Sequence, residues 1–227
     1  MIARVTLNAI NSIAKKVYFL SAQASLWIGP AKPVLASKSA TRRLLLENAG
    51  LSVEVEAAEV DERRLEREFL EGGGTPAQLA PLLARAKALD VSARRPQEFC
   101  IGADQTLLLD GVLFHKPDDL KMAEQSLTRL AGRTHILVAG VCVARAGKVL
   151  FEATQDAKLT MRALDQDAIR LYLAAAGPAV LSSVGAYQIE GIGIHLFETI
   201  EGDHATILGL PLLALLKWLR AQRVLSL

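Results

Sequence analysis

The chain has little that would tie it to a secreted, membrane or nucleic-acid-coating role. Two cysteines in 227 residues, Cys100 and Cys142, both inside apolar runs, cannot build a disulfide framework and read as reduced core thiols. Their usage points to a reducing, cytoplasmic compartment. No apolar run approaches the roughly 20 residues of a membrane span. Basic residues (26) and acidic residues (24) nearly cancel to +2, so no extended nucleic-acid surface is expected. The four histidines are scattered and neither HExxH nor CxxC occurs, which argues against a dedicated zinc site. A glycine-rich Walker loop is also missing. Acidic residues are absent before Glu47, so the first 32 residues differ from the rest. The short run "VYFLSAQA" after two lysines offers a leader reading, but Ser and Gln interrupt it. We read 1–32 as a dispensable extension, such as an upstream start would add, and 33–222 as the domain.

What is present is 51% hydrophobic residue content, enough for a sizeable core. Apolar runs alternate with helical patterns. "PVLA" reads as a strand leading to a helix over 41–49 that Gly50 ends. "LSVEVEAAEV" alternates like a half-buried strand. "DERRLEREFLEGGG" is a charged helix stopped by glycines. The next helix begins at Thr75-Pro76. "EFCIGADQTLLLDG" is a buried strand turning at Asp110-Gly111 into "VLFHKP". A helix up to Gly132, strands turning near Gly147, a helix capped at Asp165 or Asp167, further strands through "GAYQIEGIGIHLFETIEG", and a helix opened by Pro211 follow. Strands and helices without strict alternation indicate an α/β (mixed α+β) domain around a mixed sheet.

The stretch "PVLASKSATRRLLLENAG" runs a strand through a serine-rich turn into a helix. That geometry aims backbone N–H groups and the positive helix end at the turn. Ser37 and Ser39 add hydroxyls, and Arg42 and Arg43 add forked guanidiniums suited to phosphate oxygens. The same spacing also fits a helix merely capped by Ser39 or Thr41, with both arginines in water. Asp104 in "IGADQT" is expected at the end of a buried strand, where a carboxylate needs a cation, a metal or several donors. The hairpin after it would return Lys116 towards Asp104. Lys87 in "LARAKA" lies beside an apolar helix face, either snorkelling or reaching a cleft. Asp61 and Glu62 end the alternating segment, and could simply be solvated.

Taken in order, "LASKSATRRLLLENAG", "VDE", "LARAKA", "GADQTLLLDG", "KPDD", "GAYQIEGIGIHLFETIEGD" and "TILGLPLLALLKWL" resemble the Maf (septum-formation inhibitor) family over about 33–220. The resemblance implies a two-lobed fold around a curved mixed sheet, with the active cleft between the lobes. It implies a nucleoside triphosphate pyrophosphatase: NTP and water give NMP and pyrophosphate, with Mg²⁺ or Mn²⁺. Carried over by position, Asp104, Lys116 and Lys87 are catalytic, with Asp104 the base that activates water. Ser37, Thr41, Arg42, Gln105 and Glu190 contact substrate, and Asp104 and Glu62 hold the metal.

The sequence departs from the family's common Pro-Arg-Arg at Ala40-Thr41-Arg42, and from its Glu and Lys at Pro178 and Ser183. With Gln105 and Glu190, these changes resemble the branch acting on 7-methyl-GTP. A carboxylate at Glu190 suits the N1–H and amino edge of guanine. Tyr187 is either a base-stacking group or a core aromatic, and Asp203 either a ligand or a turn carboxylate. His195 and His204 have no evident partner. The expected partner is the nucleotide, with no nucleic acid and no membrane, and a homodimer is left open. The alternative function is a nucleotide-binding regulator of septum formation with little or no hydrolysis.

Overall fold

Two runs of apolar residues long enough to cross the whole molecule, around Ala103 and around Val141, organise the chain. The computed structural model describes residues 25–227. The leader-like run "VYFLSAQA" lies outside the described residues. The first run is strand β3 (Cys100–Leu109) and the second is β5 (Thr134–Arg145). They pair antiparallel from Cys100 opposite Ala144 to Leu108 opposite Ile136. Short β1 (Val34–Leu35) and β2 (Glu54–Val55) add in parallel beside the start of β3, and β4 (Val112–Phe114) adds antiparallel beside its end. β6 (Lys148–Met161) and β7 (Phe197–Glu201) complete a curled, mixed seven-stranded sheet in the order β2-β1-β3-β5-β6-β7. Both tight hairpins turn through left-handed residues, Asp110-Gly111 (φ 50° and 77°) and Ala146-Gly147 (φ 50° and 72°). That pairing matches the twist of the flanking strands.

Seven α-helices are present among the described residues: α1 (Ala40–Asn48), α2 (Glu62–Glu71), α3 (Leu79–Arg94), α4 (Leu120–Leu130), α5 (Gln166–Ala176), α6 (His204–Ile207) and α7 (Leu212–Ala221). Ser39, Asp61, Asp119, Asp165 and Asp203 accept from backbone N–H groups and cap five of them.

Alternation along β3 sends odd residues to one face and even residues to the other. The odd face divides in two. Ile101 and Ala103 join Val141 and Val143 in one core beneath α1 and α7, while Leu107 and Leu109 join Leu137 in a second beneath α4 and α5. The two cores make two lobes, with Gln105 at the seam. On the even face α3 comes close to the sheet because two residues lack side chains. A Cβ on Gly102 would stand 2.1 Å from the Ala84 carbonyl oxygen, and one on Gly140 would stand 2.7 Å from Pro81 Cα.

Several expectations need correction. "LSVEVEAAEV" yields only the two exposed residues of β2, because its neighbour β1 is itself only two residues long. Between Gly177 and Leu196 the chain forms 3-10 turns rather than strands, and the strand β7 follows only from Phe197. Asp104 lies in the middle of β3, not at its end. Residues just ahead of the expected domain start touch the domain: Leu26 N donates to Gly50 O, Ile28 N to Val224 O, and the Trp27 ring sits edge-on to Phe99.

Candidate active site

Gly102 and Gly140 matter because of what α3 then delivers. Asp104 is two residues beyond Gly102 and directly opposite Gly140 across the ladder, so all three occupy the face that α3 covers. Lys87, one position before Ala88 in α3, is only 8% exposed. Its Nζ lies 2.5 Å from Asp104 Oδ2 and 2.9 Å from Glu62 Oε2. Glu62 opens α2, so one ammonium ties a strand and two helices together. The other Asp104 oxygen accepts the Gln105 backbone N–H at 2.7 Å, and Arg42 Nη2 stands 3.8 Å away.

Arg42 lies behind this cluster, mostly covered. Its Nε donates to Gly209 O (2.8 Å), and its Nη1 to Ala103 O (2.9 Å) and Ser37 Oγ (3.3 Å). Burial pulls its guanidinium below the usual range, while Asp104 and then Glu62 pull it back. Its fork thus brackets β3 and the α6–α7 turn, and only Nη2 is left free of backbone partners. Arg43, expected to work beside it, turns outward and pairs with Glu47 at 2.7 Å.

These groups form the floor of a cleft of about 1420 Å³ between the lobes. Every expected site residue lines it: Ser37, Thr41, Arg42, Glu62, Lys87, Asp104, Gln105, Lys116 and Glu190. Their situations differ. Gln105 points to the opposite face from Asp104, and its amide nitrogen donates to Thr206 O and Ile207 O, fastening α6 to β3. Lys116 and Glu190 are exposed on the rim, and Lys116 has no ion pair among the described residues. Tyr187 reaches the cleft wall but is 5% exposed, with its hydroxyl 2.7 Å from His135 Nε2. Asp203 caps α6 by accepting from Thr206 and is not on the cleft lining.

Other lining residues were not anticipated. Arg63, Glu66 and Arg67 of α2 face the cleft, as do Lys38, His115, Asp118 and Ser183. The spacing of Glu62-Arg63 and Glu66-Arg67, one turn apart and beginning at the last residue of "VDE", was the available signal. Thr106, on the Asp104 face, has a buried hydroxyl with no hydrogen-bond partner among the described residues. No group of three or more His, Cys, Asp or Glu side chains placed to hold a metal ion is present among the described residues. Asp104 and Glu62 nevertheless converge on one point, now filled by the Lys87 ammonium. Two carboxylates completed by ligand oxygens is a donor set that hard divalent cations accept, so these residues fit such an ion.

Six lysines and arginines and five carboxylates line the cleft at the seam of a two-lobed sheet, a formal excess of one positive charge. The molecule is therefore a mixed α/β protein whose interlobe cleft is equipped to bind a polyanion over a fixed carboxylate. It belongs to the Maf family: the family model described as Maf-like protein matches residues 32–222. A nucleoside triphosphate pyrophosphatase of Nitrobacter winogradskyi is 52% identical over 89% of this chain and 100% of its own length. 7-methyl-GTP pyrophosphatases of Brucella abortus and Rhizobium johnstonii are 49% and 52% identical, over 85% and 83% of this chain and 96% and 95% of theirs.

Proposed function

We propose that this protein is a nucleoside triphosphate pyrophosphatase of the cytoplasmic nucleotide pool, hydrolysing NTP to NMP and pyrophosphate. The observation that carries this reading is the Glu62–Lys87–Asp104 cluster at the floor of a cation-lined cleft. In the reaction a water oxygen attacks the α-phosphorus, its proton passes to a base, and the bond to the bridging oxygen breaks. Pyrophosphate leaves with that oxygen. Asp104 is the base: strand β3 holds it rigidly, and Lys87 fixes one of its oxygens. Thr106 and the backbone N–H groups after Ser37 orient phosphate oxygens. A divalent cation, Mg²⁺ or Mn²⁺, would be held by Asp104 and Glu62 together with phosphate oxygens, and would neutralise developing charge on the leaving group.

Glu190 on the rim supports a guanine base, and 7-methyl-GTP is the substrate that the resemblance and the names of several relatives favour. The test is magnesium-dependent pyrophosphate release from a panel of 7-methyl-GTP, GTP, ITP and UTP. Asp104→Asn should abolish turnover yet still bind nucleotide. Glu190→Gln should erode the preference for 7-methyl-GTP and GTP over UTP, and an unchanged ranking would refute the base assignment. Wild-type protein that binds every nucleotide and yields no NMP would instead favour a binding regulator.

A further inference from the structure

We propose that Arg63 and Arg67 of α2 grip the terminal phosphates of the substrate and hold the pyrophosphate product. The proposal rests on the pyrophosphatase reading and extends it to residues outside the inner cluster. That cluster is electrically closed. Lys87 faces Asp104 and Glu62, and Arg42 faces Asp104 while donating to two backbone carbonyls. Two cations against two carboxylates leave little charge for a triphosphate, and the departing pyrophosphate carries most of that charge.

The cations with unused donors lie elsewhere on the lining. Arg63 and Arg67 are exposed, line the cleft, and make no ion pair among the described residues. Arg64, between them, points away and pairs with Glu68. Four-residue spacing puts Arg63 and Arg67 one turn apart on the same side of the helix, about 5.4 Å along its axis. Their forks can therefore meet oxygens of two linked phosphates, as guanidiniums do in pairs.

Two contacts place this arm beside the chemistry. Glu62, the first residue of α2, binds Lys87 on the cleft floor, and Glu66, a turn later, lies 3.4 Å from His115 Nε2. His115 precedes Lys116, so Lys116 stands at the same mouth. α2 also has latitude to adjust. None of its residues is fully buried, and it ends in Gly72-Gly73-Gly74, with Gly73 at φ +88° in open space.

The test titrates the full-length protein with inorganic pyrophosphate and, separately, GMP, each with Mg²⁺, by calorimetry. The Arg63→Gln/Arg67→Gln double variant should bind pyrophosphate at least about tenfold more weakly, with GMP affinity unchanged and the melting temperature unmoved. Arg63→Lys/Arg67→Lys should recover part of the loss, and Arg64→Gln should lose nothing. In turnover, the double variant should show a reduced preference for GTP over GDP. Unchanged pyrophosphate binding, an equal fall for GMP, or a wild type that binds no pyrophosphate would each overturn the assignment. A wild type that binds pyrophosphate through these arginines yet hydrolyses no NTP would leave the clamp standing and remove the pyrophosphatase reading.

Discussion

At the scale of single residues, the site depends on Lys87 more than on any other cation, because it is the only one that touches both carboxylates. Lys87→Met would leave Asp104, 13% exposed in its side chain, facing Arg42 across 3.8 Å without a close cationic partner. Removing one member of a buried pair costs about 3 kcal/mol of stability, and losing a fixed charge near the reacting phosphorus costs about 100-fold in kcat or more. Urea unfolding and steady-state kinetics on the same variant should show both losses. Glu62→Gln separates the two effects. The Glu62 side chain is half exposed, so its variant should unfold within about 1 kcal/mol of wild type while kcat still falls. Arg42 belongs to a different class. Its guanidinium joins Ser37, Ala103 and Gly209, three points a lysine cannot reach together. Arg42→Lys should therefore lower stability by about 2 kcal/mol, read as a shifted urea midpoint. A change in KM with an unmoved midpoint would mean that Arg42 acts on substrate first.

At the scale of elements, the approach of α3 to β3 sets the distance from Lys87 to Asp104, and Gly102 sets that approach. Gly102→Ala would push a methyl group into the Ala84 carbonyl, with no flexible side chain there to yield. The helix must retreat, at a cost of about 3 kcal/mol, and carry Lys87 with it, so thermal stability and kcat should drop together. This pairing of strand and helix was readable from sequence in its parts. The apolar run around Asp104, the Asp110-Gly111 turn and the leucine-alanine periodicity around Lys87 each announce an element. Their mutual register was not readable, since nothing local says that Gly102 and Gly140 face the same helix. Other elements misled for physical reasons. "LSVEVEAAEV" has the alternation of a strand but only a two-residue neighbour to pair with, so most of it stays irregular. The charges of α2 read only as a charged helix, because periodicity locates an apolar stripe and is silent on which polar side meets a ligand. Asp104 and Gln105 look like one polar pair in sequence, yet strand alternation sends them to opposite faces, one to the cleft floor and one to α6.

At the scale of the molecule, two cores share the strands β3 and β5, and each core can be weakened separately. The core beneath α1 and α7 is sealed by an aromatic series: Trp27 on Phe99, Phe99 on Trp218, and Trp218 stacked on Phe151. Trp27→Ala removes the first ring and its indole bond to Ala31 O, and should cost about 3 kcal/mol by thermal denaturation. No loss would support the reading that the segment before residue 33 is dispensable. The other core contains a titrating group. His135 is fully buried between Tyr187 and Phe197, and loss of solvation lowers its pKa to about 4. The unfolded chain, with an ordinary histidine, takes up a proton near pH 6.5, before the folded one does. Its contribution is therefore complete above about pH 6.5 and is lost as the pH falls through about 4. Between pH 7 and pH 4.5 that difference amounts to about 2 kcal/mol. His135→Gln lacks the ionisation, so its unfolding free energy should fall over this interval by about 2 kcal/mol less than that of wild type. Parallel urea curves at the two pH values measure the difference. An equal fall for the two proteins would show that His135 takes up its proton at the same pH in the folded core as in the unfolded chain, and would overturn this assignment.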